Sequence, residues 1–162
     1  MLINSRLVLV AAVSAVLLSG CSSAGSGAAS STTSPTSGTS ADAHQSDVFS
    51  LEVGDCLNKA ASDTVGEVPT VDCSAPHEFE VFAEYTLADS TYDEAAIGQK
   101  ADDECTSRFA DFIGVAYDDS SLIEISYKPT EKSWAIGDRL ITCTVGEDGG
   151  VKTVGTLKGA MR

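Results

Sequence analysis

Any chemistry in this chain has to start from its histidines and cysteines. There are 2 histidines: His77 falls in a segment that reads as folded, and His44 in a polar spacer. Cys73-x-x-x-His77, with Cys56 upstream, offers the donor types of a zinc site. The plainer explanation is that the cysteines are oxidised, as in an exported protein, and that His77 closes the turn after Pro76. Asp72, Ser74 and His77 supply the residue types of a nucleophilic relay. They lie too close along an extended stretch to form one locally, and no Gly-x-Ser-x-Gly elbow or Ser-x-x-Lys pair is present in the folded part. Glu78, Glu80 and Glu84 could face a cation or a basic partner, but alternating glutamates read first as the wet face of a strand. Asp102-Asp103-Glu104 reads as a solvated helix face, and the chain has no Asp-x-Asp-x-Asp-Gly calcium loop. No catalytic residue, cofactor ligand or metal ligand is therefore assigned, and the expectation is a protein that is not an enzyme.

A contact surface is a better prospect. Pro129 to Arg139 places Glu131, Trp134 and Arg139 in one compact turn, and interfaces favour Trp and Arg as anchors. Trp134, the only tryptophan, equally suits a plug at the core edge beside Pro129.

The elements that would hold these residues can be read from periodicity. Phe49 to Leu57 alternates as a strand would. Val68 to Cys73 is a short strand, and Pro69 confines it to an edge or a late start. Glu78 to Leu87 is the clearest strand, with Phe79, Val81, Ala83 and Tyr85 inward and Glu78, Glu80, Phe82 and Glu84 outward. Tyr92 to Ile113 predicts a helix capped by Ser90 or Thr91, stopped at Gly114, with an apolar stripe through Ile97, Ala101, Cys105, Phe109 and Phe112 or Ile113. Leu122 to Tyr127 and Asp138 to Val145 are strands, the latter placing Ile141, Cys143 and Val145 on one face. Thr130 caps a helical turn, Glu147 to Gly150 is a hairpin turn, and Val151 to Leu157 returns as a final strand. The fold class expected is α+β: a small antiparallel sheet of five or six strands, with one main helix packed on a face and two disulfides.

The N-terminus carries a different kind of signal. Arg6 precedes an apolar run from Leu7 to Leu18, too short to span a bilayer comfortably and laid out like an export signal. Leu18-Ser19-Gly20-Cys21 resembles the lipobox of bacterial lipoproteins. That resemblance implies cleavage before Cys21 and lipidation of Cys21, with two or more acyl chains giving a stable anchor. The expected organisation is a signal peptide over 1–20, a lipidated Cys21 leading a disordered Ser/Thr/Gly-rich spacer over 21–47, and a folded domain over 48–162. The location is the outer face of the cytoplasmic membrane.

Without the signal, 9 basic residues stand against 24 acidic ones, a formal charge of 9 − 24 = −15. Such a surface repels nucleic acid. Four cysteines remain beside Cys21. Their even number in an exported domain implies two disulfides with three possible pairings. Cys105 faces inward from the helix; if the Cys143 face of its strand is turned to that helix, the two join and Cys56 pairs with Cys73.

Several segments together resemble a known family. They are Gly54-Asp55-Cys56, Val71 through Val81 (VDCSAPHEFEV), Pro129 through Arg139 (PTEKSWAIGDR) ending at Cys143, and Gly155 through Gly159. They are similar to the septum formation-related domain of actinobacterial membrane proteins and lipoproteins. Asp72 departs from the small or apolar residue frequent there. The resemblance implies a link to cell division, carries no catalytic residues with it, and supports two disulfides. The function it suggests is a non-enzymatic interaction module with an unknown envelope partner. The alternative is an extracytoplasmic lipoprotein that binds a small ligand or cation.

Overall fold

The computed structural model describes residues 43–60 and 66–162. The chain divides into two units, 1–37 and 38–162, and every described residue belongs to the second. The expected export signal, Cys21 and most of the expected spacer lie outside the described residues.

Six strands form one antiparallel sheet: β1 (His44–Asp47), β2 (Cys56–Leu57), β3 (Glu67–Val71), β4 (Phe79–Thr86), β5 (Leu122–Tyr127) and β6 (Leu140–Glu147). Their order across the sheet is β1-β3-β2-β4-β6-β5. One long helix, α1 (Glu94–Ile113), packs on it, and a single turn, α2 (Glu131–Ala135), follows β5. This is the α+β arrangement expected.

The helix forms where its stripe predicts. Ile97, Ala101, Cys105, Phe109, Phe112 and Ile113 are all buried. Its cap is Asp93, not Ser90 or Thr91: the Asp93 carboxylate accepts from the Ala96 N–H at 3.0 Å. Gly114 ends it in the left-handed region at φ 95°, where only glycine is free of strain. Facing the stripe, Ile141, Cys143 and Val145 of β6 are fully buried. Cys105 and Cys143 are disulfide-bonded across this contact, and Cys56 is bonded to Cys73.

The sequence reading fails on β4, for a definite reason. Opposite β6, Val81 pairs with Thr144 and Ala83 with Cys143, so Phe82 is an extra residue in a β-bulge. A bulge reverses the alternation beyond it. Phe79 and Val81 consequently join a small core with Val48, Leu51, Leu57 and Val68, whereas Phe82 and Ala83 join the helix-side core. Glu80, expected on the wet face, is 1 % exposed.

Four further expectations are corrected. His44–Asp47, assigned to the spacer, is the edge strand β1: it has no apolar pattern and is held by backbone pairing to β3 and by a 2.7 Å bond between the Ser46 and Thr70 hydroxyls. Pro69 accordingly lies in a strand with neighbours on both sides. Phe49–Leu57 is mostly not a strand, because the Asp47 carboxylate accepts from the Phe49 N–H and folds Val48–Ser50 into a 3-10 turn. The final strand reduces to one bridge between Thr153 and His77. Beyond it, the C-terminal segment is a strap. Leu157 is buried, and the Gly159 and Met161 N–H groups donate to the Phe112 and Ile113 carbonyls, which the end of α1 leaves without helical partners.

Candidate functional site

The turn from Pro129 to Arg139 is built by local rules. The Thr130 hydroxyl accepts from the Ser133 N–H at 3.1 Å, and Ser133 Oγ accepts from the Thr130 N–H at 2.9 Å. This reciprocal cap starts α2 and aims Trp134 inward. Trp134 is 7 % exposed, packs edge-on against Tyr92, and has the Arg139 guanidinium 3.5 Å above its ring centroid. Arg139 also donates to the Trp134 and Asp138 carbonyls. Of the three residues singled out as contacts, Trp134 is thus a core plug covered by Arg139, and Glu131 is exposed beside it.

The exposed apolar groups of this region are two others. Ile136 is 83 % exposed and Phe49 47 %. They wall two adjoining hollows. The smaller, about 390 Å³, is also lined by Thr86 and Gly137 to Leu140. The larger, about 580 Å³, runs past Tyr92, Glu94 and Tyr127 to Lys128 and Lys132. Among the described residues neither lysine makes an ion pair. Ile136 sits inside the segment that sequence reasoning selected, and its side chain follows one buried Trp by two residues. Phe49 could not be found this way, since its outward position depends on the Asp47 turn.

The acidic residues are used locally. Glu104 pairs with Arg108 and with Lys100, and Arg108 and then Lys100 hold its carboxyl below the ordinary range. Both cations lie over the Tyr85 ring, at 5.2 and 5.0 Å. Glu84 is pushed up by burial and by Glu52 and Asp55. Burial raises Glu124 too, against a weaker opposing bond from Thr106.

His77 is fully buried, not at the surface of its turn. Its Nδ1 lies 2.8 Å from the Ala75 carbonyl and its Nε2 3.3 Å from Thr153 Oγ1. Asp72 accepts instead from the Ser74 N–H in an exposed turn, and hydrogen bonding by the Ser74 side chain, then by its N–H, keeps the Asp72 carboxyl low. The three residues of the suspected relay are therefore directed apart. The neighbours of His77 are Cys56 and Glu80: their ligand-type atoms and a ring nitrogen of His77 all lie within 4.8 Å of one another. Glu80 accepts from Thr156 Oγ1 and from the Leu157 N–H, both at 2.5 Å. No helix among the described residues is long and apolar enough to cross a membrane.

Residues 19–143 match the family described as Septum formation. No curated protein and no solved structure matches the chain significantly.

Proposed function

The chain belongs to the septum-formation family, which supports a role related to cell division, and on that premise we propose that it is a lipid-anchored, non-enzymatic interaction module of the cell envelope. Its docking surface is the pair of hollows divided by Phe49 and Ile136. The observation that carries this reading is Ile136: an isoleucine 83 % exposed on a turn braced by the Thr130–Ser133 cap, the Arg139–Trp134 stack and the Asp138–Ser133 bond. A rigid support under an exposed apolar residue is what an interface anchor needs. The occupant is an envelope protein presenting an apolar side chain to the gap between Phe49 and Ile136.

In this reading Cys21 carries the lipid and residues 22–43 link it to β1. The lipid would keep the domain close to the outer face of the cytoplasmic membrane. Both disulfides accord with that compartment.

The test places a photo-crosslinking residue at 136, at 49, or at the exposed Val154 as control, in the full chain expressed in growing cells. Crosslinks from 136 and 49 to a division or wall-synthesis protein, abolished by Ile136→Asp when the crosslinker is at 49, support the module. Equal or absent crosslinks at all three sites refute the surface. A Cys21→Ser chain should leave the membrane fraction, and its retention there would overturn the lipid anchor.

A second reading rests on the larger hollow. Its volume, about 580 Å³, lies within the range of about 300–1,000 Å³ usual for ligand pockets, and Lys128 and Lys132 would favour a small anion. Saturable quenching of Trp134 fluorescence by an anionic metabolite extract, lost in Lys128→Ala/Lys132→Ala, would favour ligand capture.

A further inference from the structure

We propose that the Cys56–Cys73 disulfide conceals a zinc site, and that its reduction supplies two thiolates which, with His77 and Glu80, bind one Zn²⁺. Three observations carry this. First, Cys56, His77 and Glu80 converge from β2, from the Thr153 bridge and from β4. Each is at most 1 % exposed, and their donor atoms lie within 4.8 Å of one another, while Cys73 adds a fourth donor through its bond to Cys56. Tetrahedral zinc with bonds of about 2.0–2.3 Å separates its ligands by roughly 3.3–3.8 Å. Shifts of about an ångström would gather Cys56, His77 and Glu80, and Cys73, released from its bond to Cys56, would swing in from outside that group.

Second, the tautomer of His77 is already fixed by its neighbours. A carbonyl only accepts, so the 2.8 Å bond to the Ala75 oxygen puts the proton on Nδ1 and leaves the Nε2 lone pair directed at Thr153 Oγ1. Metal-binding histidines commonly fix their tautomer through such a carbonyl. Glu80 is likewise oriented by its two donors, Thr156 and Leu157.

Third, the two disulfides differ in access. Cys105 and Cys143 are 1 % and 0 % exposed, and Cys56 is 1 % exposed, whereas Cys73 is half-buried on an open turn. An attacking thiolate therefore reaches Cys73 Sγ before any other disulfide sulfur. The reductant is a dithiol. Its first thiolate bonds to Cys73 Sγ and Cys56 departs as a thiolate; its second thiol displaces Cys73 and closes the reductant's own disulfide. Two electrons pass to the protein, both cysteines end as thiols, and zinc binding releases their two protons.

The test treats the full chain with a dithiol under anaerobic conditions, counts free thiols by alkylation and mass, and adds Co²⁺ as a spectroscopic probe with Zn²⁺ as competitor. The expected result is two thiols mapped to Cys56 and Cys73, one Co²⁺ per chain with a thiolate-to-cobalt charge-transfer band and tetrahedral d–d bands, and displacement by Zn²⁺, with an unchanged far-ultraviolet dichroism. His77→Asn, folded by the same criterion, should weaken binding roughly tenfold or more. A Cys73→Ser chain, whose Cys56 is free without any reductant, should bind Co²⁺ through one thiolate. The proposal is overturned if the reduced chain unfolds or binds no Co²⁺ and Cys73→Ser also shows no charge-transfer band. It is equally overturned if His77→Asn binds as tightly as the parent.

Discussion

Replacing Glu80 tests the largest departure of the structure from its pattern. The carboxylate accepts from Thr156 Oγ1 and the Leu157 N–H, each at 2.5 Å, in a site 1 % exposed. Hydrogen bonds to a charged group contribute about 1.5–3 kcal/mol each. Alanine loses both and leaves the Leu157 N–H without an acceptor, while it relieves the desolvation of the charge. The expected net loss is about 3–4 kcal/mol, a large share of the ~5–15 kcal/mol that holds a domain together. Glutamine can keep both contacts, its carbonyl accepting from Leu157 and its amide donating to a Thr156 hydroxyl turned round, so Glu80→Gln should lose only about 1–2 kcal/mol. Urea unfolding of both variants with the disulfides intact measures the difference. Hydrogen exchange locates it: in Glu80→Ala the Leu157, Gly159 and Met161 amides should lose protection before those of α1. A loss below about 1 kcal/mol in the alanine variant, or full protection of those three amides, would refute the idea that a buried carboxylate clasps the C-terminal strap.

Gly146→Ala should destabilise by about 3 kcal/mol or more, because a Cβ there meets the Glu78 carbonyl oxygen and the Phe79 ring; thermal melting checks it. Trp134→Ala should lose about 3–5 kcal/mol, whereas Ile136→Ser should stay within about 0.5 kcal/mol, a contrast that urea unfolding reads directly and that separates plug from anchor. Burial raises the Glu124 carboxyl, and its Oε2 has no hydrogen-bond partner among the described residues, so its favourable contribution is present below the unfolded carboxyl pKa and is lost as pH rises through the folded one. Glu124→Gln should therefore melt higher than the parent at neutral pH, with the gain shrinking as pH falls; a gain independent of pH would contradict this. Removing the 38-residue crosslink with Cys105→Ala/Cys143→Ala should lose about 4 kcal/mol on the chain-entropy account, measured by denaturant titration.

The legible parts of this protein are those governed by neighbours in sequence. The helix stripe from Ile97 to Ile113, the Gly114 stop, the Thr130 cap and the β5 strand all follow from residues within a few positions of one another. The disulfide pairing was legible up to one condition: the inward direction of Cys105 follows from the helix period, whereas the strand period groups Cys143 with Ile141 and Val145 and leaves to the tertiary structure that this face meets the helix. In the turn from Pro129 to Arg139, singled out for its Trp and Arg, the exposed apolar residue is Ile136 and the tryptophan is buried.

What the tertiary structure alone decided depends on partners far along the chain. The bulge at Phe82 exists only against β6, about sixty residues later, and it sends one alternating run to two different cores. Glu80 is buried because Thr156 and Leu157, 76 and 77 residues away, return to donate to it. His44–Asp47 becomes a strand only because β3 offers it an unpaired backbone edge. Side-chain periodicity records which face a residue shows to its immediate surroundings. It carries no record of a distant hydrogen-bond donor or of an extra residue taken up in a neighbouring ladder: the first holds Glu80, the strand partner of Cys56, in a buried site, and the second divides β4 between two cores.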